Sequence, residues 1–408
     1  MTEAANQPTS ATGAAFQRDR RTWAAYLLLG LFAYLETVLG PAMPFLREHL
    51  DLTYAAASLH FSAFAAGAVL MGMTGERWVQ RLGRDRALWG GLAGMIAGAA
   101  IIGLGPNAVT TIAGAFLMGF LGTLSLMANQ AVLADLHGDL RTIALTESNV
   151  AATGTAILAP LIIGGFATIG LGWQTGMLIT VPWLLLLGWI FRDVRFPRLL
   201  PLVHQTGSAG RLPAAFWLLC VVLALLASVE WCVAYWGADF LASVVGLEQA
   251  TAATAMTIFF VAMTGGRWLG SRLARHYDGL LLLLAAIAVA AAGFLIFWLA
   301  PRPAISLPGL FIAGLGIANC YPLTVAAATG AAPHLLDRAT ARLAVATGTA
   351  LLVAPLVVGA ISDVASMRWG FGIVLPLLIA ALVGVIIATR WLARGPAVVP
   401  AAAPSATI

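Results

Sequence analysis

Lysine is missing from this chain: all 22 basic side chains are arginines, and charged residues make up only 10% of the 408. Charge this sparse cannot furnish the hydrated surface of a soluble protein. With 61% of residues hydrophobic, the solvent for most of the chain must be lipid. Cysteine is almost absent too. Cys220, Cys232 and Cys320 each lie inside an apolar run, an odd number without ligand spacing, which excludes a disulfide framework and a zinc site. The arginines are scattered rather than gathered in one patch, so no nucleic-acid partner is expected. Without lysine there is no phosphate-cradling GxxxxGK(S/T) loop, and HExxH and GxSxG are missing as well. These absences argue against an ATP-driven pump and against an enzyme, and no metal or other cofactor is expected. A membrane sensor would need a soluble signalling domain, and the longest interior hydrophilic stretch is only residues 192–214.

What is present is a series of apolar runs, each close to the ~20 residues that a membrane span requires. Twelve are expected, at about 23–46, 54–75, 86–105, 108–132, 143–168, 173–191, 214–237, 249–269, 279–300, 305–329, 341–362 and 369–391. Residues 192–213 read as a cytoplasmic linker between an N-terminal bundle, 22–191, and a C-terminal bundle, 214–394. Residues 1–21 and 395–408 are expected to be disordered tails, the second being Pro/Ala-rich. The first run follows "RDRR" with no cleavage site and reads as an uncleaved span. With both termini in the cytoplasm, 19 arginines fall on that side and only Arg47, Arg302 and Arg368 fall outside. That is the bias of the positive-inside rule in a cytoplasmic membrane.

The two bundles repeat one another. "MTGERW" (73–78) returns as "MTGGRW" (263–268), at an offset of 190. "GAFLMG" (114–119) matches "GLFIAG" (309–314) at 195, and "ATGTAILAPLIIGG" (152–165) matches "ATGTALLVAPLVVGA" (346–360) at 194 and then 195. "GWQTG" (172–176) aligns with "RWGFG" (368–372) at 196. Each pair occupies the same ordinal span of its half. The expected fold is therefore an all-α membrane protein with twelve helices in two pseudo-symmetric six-helix bundles. Secondary transporters use this plan and bind solute between the halves.

Over roughly residues 20–395 the chain resembles the major facilitator superfamily. That family's loop between spans 2 and 3 is matched in part by "GERWVQRLGRDR" (75–86), through Arg81, Gly83, Arg84 and Arg86, with Gln80 where an Asp is expected. The second half keeps Gly270, Arg272 and Arg275. "APLIIGG" (159–165) is similar to the span-5 motif of proton antiporters, with Ala159 in place of its Gly, while the span-4 arginine of drug antiporters is missing. "VEWCVAYW" (229–236) resembles the fucose permease group of sugar transporters.

Aligning span 1 with span 7 at offset 194 places Glu36 on Glu230, each with small residues on its helical face: Ala33 and Gly40, Ala227 and Ala234. An ionised acid at a helix centre costs about 2.5–3.5 kcal/mol, so the protonated form is favoured there. No arginine is expected deep enough to pair with either, and both are expected to carry protons. A structural hydrogen bond is the alternative. The resemblance implies that span 5 lies against span 8, so Glu147 is expected to meet Arg267 or Arg272 in a cytoplasmic latch. Arg77 would face Asp337 and Arg342 as the counterpart. The resemblance also implies a cavity lined by spans 1, 4, 7 and 10. Tyr34, Asn129, Gln130, Trp231, Tyr235, Trp236, Asn319 and Tyr321 are the candidate solute contacts, with His60 of span 2 as a further polar insertion. As a set they suit a small amphipathic or polyhydroxylated solute. The function expected is monomeric, proton-coupled secondary transport, with symport favoured. Proton-antiport efflux is one alternative, and a non-transporting sensor is another.

Overall fold

The computed structural model describes residues 16–196 and 211–394. Residues 1–15, most of the expected linker and the tail 395–408 lie outside the described residues, as does the Asp337 side chain. Within that range the regular structure is helical: α1 (Arg20–His49), α2 (Tyr54–Leu82), α3 (Arg84–Leu104), α4 (Ala108–His137), α5 (Arg141–Thr168), α6 (Trp173–Leu178) and α7 (Thr180–Ile190) in the first half. The second half holds α8 (Ala214–Ser243), α9 (Gln249–Leu273), α10 (Gly279–Leu299), α11 (Pro303–Gly330), α12 (Leu336–Val364), α13 (Met367–Gly372) and α14 (Val374–Arg394). Single residues, Ile179 and Ile373, separate α6 from α7 and α13 from α14, so fourteen helices correspond to twelve rods. Ten segments are long and apolar enough to cross a membrane. The segment Ala108–Thr168 contains both α4 and α5. α9 is not among the ten: four threonines, Arg267 and Arg272 make it too polar by composition. A helix of that kind belongs against protein or water rather than lipid.

Helix starts are set locally. Asp19, Thr53, Asn107 and Asp278 accept backbone N–H bonds at the first turns of α1, α2, α4 and α10. Gly83 ends α2 at φ 79°, a conformation that favours glycine. Next to it Arg84 is buried in an ion pair with Asp135, tying α3 to α4, while Gln80 donates to Glu76 at 3.1 Å. Residues 16–21, assigned to the tail by the sequence, are instead held. Phe16 stacks on His137 at 4.7 Å, and α1 begins at Arg20. Of seven exposed tryptophans, Trp23, Trp78, Trp189, Trp217, Trp268 and Trp391 sit at the helix ends nearest the chain termini, and Trp369 at the other end. Those nearest the termini form an aromatic belt at one membrane interface.

Packing repeats between the halves: α1 on α5 and α2 on α4 match α8 on α12 and α9 on α11. α5 against α9 and α12 against α2 then join the halves. The helix boundaries fix the register of this duplication. α8 follows α1 by 194 residues, and α9 and α10 follow α2 and α3 by 195. Close contacts agree, since Gly119 abuts the Phe64 backbone and Gly314 abuts Phe259, again 195 apart. Two of the sequence matches are thereby corrected. Arg77 corresponds to Arg272, and Arg267 corresponds to Gly72, so "MTGERW" and "MTGGRW" stand at different depths. Likewise Gly176, packed on Ile163, pairs with Gly370, packed on Val358, rather than with Gly372. In Ala/Gly/Thr-rich helices a chance match displaced by a turn or so scores as well as the true one.

Candidate functional site

Glu36 and Glu230 stand midway along the symmetry-related helices α1 and α8, which touch each other at the seam between the halves. Four residues further on, Gly40 lies so near Ala234 that even a methyl group there would overlap the Ala234 carbonyl oxygen. This backbone contact closes one end of a cavity of about 230 Å³. Ala33, Glu36 and Thr37 line it from α1, and Asn149, Ala152, Thr153 and Ala156 from α5. Glu230, Trp231, Ala234 and Tyr235 face them from α8, and Phe259, Phe260, Met263 and Arg267 from α9. The two carboxylates are near enough for their charges to act on each other. Arg267 Nη2 lies 3.7 Å from Glu230 Oε1, which corrects the expectation that no arginine reaches either acid. Running α9 on to Leu273 puts Arg267 further inside the helix than the expected span, 249–269, allowed. Glu36 has no hydrogen-bond or ion-pair partner among the described residues. Tyr235 is buried, stacked on Phe61 at 4.2 Å and tilted against Trp231 at 5.0 Å, and its hydroxyl is unpartnered.

Beyond Gly40 the halves are joined at the end away from the termini. Arg47 of α1 donates through Nε and Nη2 to the buried Asp239 carboxylate of α8 at 2.9 and 3.2 Å, and lies 3.9 Å from the centre of the Tyr54 ring. Gln249 donates to Glu48. The Asp363 carboxylate of α12 accepts the Tyr54 and Ala55 N–H groups at 2.7 and 2.9 Å, satisfying the first turn of α2. Gly164 and Gly359, equivalent in the repeated motif, bring α5 onto α9 and α12 onto α2. The repeat thus serves as the seam.

The profile of the Major Facilitator Superfamily matches residues 24–335. The chain belongs to that superfamily. Among curated relatives of this transporter family, an uncharacterized MFS-type transporter of Yersinia pestis is 26% identical over 155 residues, which is 38% of this chain and 40% of that one. The MFS thioclapurine efflux transporter of Claviceps purpurea is 38% identical over 100 residues, 24% of this chain and 18% of that one. The matched stretches therefore span well under half of either relative. Among solved structures, a bacterial homolog of the human lysosomal transporter Spinster, inward-facing and occupied, superposes with a TM-score of 0.78 at 16% identity, over 92% of this chain and 98% of that one. The nucleoside transporter NupG, as a mutant, reaches 0.75 at 12% identity, over 90% and 100% of the two chains. At these identities the likeness is one of fold alone.

Within this superfamily fold the expected solute contacts separate. Trp231 and Tyr235 reach the cavity; the other candidates do not. Tyr34 is buried and donates to the Gly176 carbonyl at 2.6 Å, and Trp236 is buried with its N–H toward Pro355. Asn129 ties α4 to α1 through the Ala25 carbonyl, and Asn319 ties α11 to α9 through Gly266. His60 is buried beside Thr111 at 2.8 Å, between α2 and α4. Gln130 and Tyr321 are exposed on α4 and α11. The cavity is thus built on spans 1, 5, 7 and 8, and span 5 and span 8 residues such as Asn149, Thr153 and Phe260 were not foreseen. The signal available was the polarity of "TESNVAATGT" and of α9.

The expected latch is corrected as well. Glu147 accepts from Arg18 Nε and Nη2 at 2.8 and 2.5 Å and from Tyr26 at 3.1 Å, all within its own half. Arg267 turns to Glu230, and Arg272 lies over Trp268 at 4.8 Å. Arg77 and Arg342 are exposed, and Asp337 lies outside the described side chains. The inter-half ion pair seen here, Arg47–Asp239, is at the opposite end from the one expected.

Proposed function

We propose that this chain is a proton-coupled secondary transporter, neither enzyme nor sensor, that moves a small organic solute by alternating access. It acts as a monomer in the cytoplasmic membrane with both termini inside. Superfamily membership supports transport. The observation that carries the coupling is the convergence of Glu36 and Glu230, one acid from each half, on a single cavity that ends at the Gly40–Ala234 contact. An acid at that depth is stable when protonated and can ionise when the cavity is wet, so rocking of the halves changes its access and its charge together. The Arg47–Asp239 pair and the Asp363–α2 contact then hold the outer end shut.

Symport is the direction favoured by the missing span-4 arginine. Antiport is the second reading, favoured by the lack of any partner for Glu36: one acid that holds either a proton or a solute yields exchange. The efflux role of the Claviceps purpurea relative agrees with it. The test is the pH change evoked by solute in proteoliposomes of the purified protein. The expected result is a proton flux that disappears in the Glu36→Gln, Glu230→Gln double variant, and its sign separates symport from antiport. Solute flux indifferent to a pH gradient and to both substitutions would leave facilitated diffusion instead.

A further inference from the structure

The polar groups of the cavity are matched to one kind of solute. Thr37 and Thr153 direct their hydroxyl hydrogens to the Ala33 and Asn149 carbonyls, each at 2.8 Å, and Asn149 gives an amide N–H to the Leu145 carbonyl at 2.8 Å. Helical back-bonding of this kind occupies donors and leaves oxygens free to accept. Facing the lumen are therefore three accepting side-chain oxygens and two carboxylates. The one arginine, Arg267, lies against Glu230. With both acids ionised the lining carries a net negative charge. Glu36 is left without a partner, and the hydroxyl of Tyr235, a residue only 1% exposed, is unpartnered as well. Glu36 and the Tyr235 hydroxyl, side by side on one small cavity, can both bond to a ligand that carries hydrogen-bond donors. Around them stand Trp231, Phe259 and Phe260, whose ring faces attract a cation and accommodate an apolar body. Among the described residues no three His, Cys, Asp or Glu side chains gather as a metal site.

We propose that the cavity takes a protonated amine carried on a small apolar or aromatic body, with its ammonium N–H groups on Glu36 and Tyr235 and its body against the Trp231 side. This rests on the transporter reading above, in its antiport form, and replaces the polyhydroxylated solute that the sequence suggested. Such a solute would meet an excess of acceptors, with the Tyr235 hydroxyl and the second Asn149 amide N–H among the few donors left to it. An anion would meet two carboxylates against the single cation Arg267, which already lies 3.7 Å from Glu230. The missing counterpart of Arg267 distinguishes the two acids: at the equivalent position α2 carries Gly72, and among the described residues no cation pairs with Glu36.

The test is equilibrium binding of three nearly isosteric probes to the purified full-length protein in detergent: phenethylamine, phenethyl alcohol and 3-phenylpropionate. Phenethylamine is expected to bind at least about 10-fold more tightly than the other two, the effect of one charge-assisted pair. Glu36→Gln is expected to lose that margin, Glu36→Asp to keep part of it, and Arg267→Gln to strengthen amine binding by removing the opposing charge. If the alcohol or the carboxylate binds as well as the amine, or if the amine does not bind, the proposal is overturned. The ranking in the unsubstituted protein decides this even where a variant fails to fold. Amine preference without solute-evoked proton flux would sink the coupling reading alone. Proton flux evoked by a neutral or anionic solute would sink this one alone.

Discussion

Glu36 and Glu230 occupy the same place in the two halves, and their surroundings differ most clearly in charge. α9 brings Arg267 to 3.7 Å from Glu230, whereas α2 offers only Gly72 at the matching position, in open space. Small residues beside each acid, a seam that returns to itself at Gly40 and Ala234, and repeated glycines where each half crosses to the other are shared, whereas Thr37 stands where the second half has Trp231. A duplicated body thus supplies a symmetric hinge, and a single unmatched arginine gives its two acids different work. Glu230 is held in an internal pair, and Glu36 has no such partner among the described residues, which under the proposed function leaves it to proton or solute.

The most severe way to break the comparison is at the shared seam. Gly40→Val would thrust a branched side chain into the Ala234 backbone, which cannot rotate away, and is expected to lower flux by about 100-fold or more. Full flux in reconstituted Gly40→Val would mean that the halves do not meet there. Next in size is the ion pair beyond the seam. Arg47→Met leaves the Asp239 carboxylate buried without a partner, at a cost of about 3 kcal/mol read as a lower unfolding temperature in detergent. An unchanged transition would show that the pair is dispensable. Symmetry itself can be restored from the other side, because Gly72→Arg places a guanidinium where Arg267 stands in the second half. Its expected effect is a loss of about 10-fold in proton-coupled flux, as Glu36 gains a counter-charge. If flux is untouched, position 72 does not face Glu36.

The smallest effect lies at the start of α1. Burial alone would push the Asp19 carboxyl up, but hydrogen bonds from Thr22 and the charge of Arg21 outweigh it and hold the group below the ordinary carboxylate range. A folded value below the unfolded one means that the cap's contribution is present above about pH 4 and is lost as the pH falls through the folded value. Asp19→Ala should lower stability by about 1 kcal/mol at neutral pH and by less in acid, which a thermal-shift series across pH would detect.

Much of this architecture is legible in the sequence, because lipid demands long apolar runs and the positive-inside bias orders them. The pairing of Glu36 with Glu230 is legible too, since the boundaries of α1 and α8 keep the offset of 194. What misleads is periodicity within small-residue helices. "MTGERW" and "MTGGRW" match in letters, yet the helix ends place Arg267 five residues deeper than Arg77, and that shift carries it from a loop latch to the cavity. Polar residues mislead in another way: Tyr34, Asn129 and Asn319 bond to carbonyls of neighbouring helices, a role that composition does not distinguish from solute binding. The seam could not be found from Arg47 and Asp239 separately, because they are 192 positions apart and share no motif.

The claim that the two acids have unlike roles is tested most directly by measuring pH-gradient-driven flux in proteoliposomes carrying Glu36→Gln or Glu230→Gln alone. The account predicts that Glu36→Gln abolishes the response to the gradient, while Glu230→Gln, which only frees Arg267, leaves a reduced but measurable one. Equal losses, or a response that survives in Glu36→Gln and vanishes in Glu230→Gln, would contradict it.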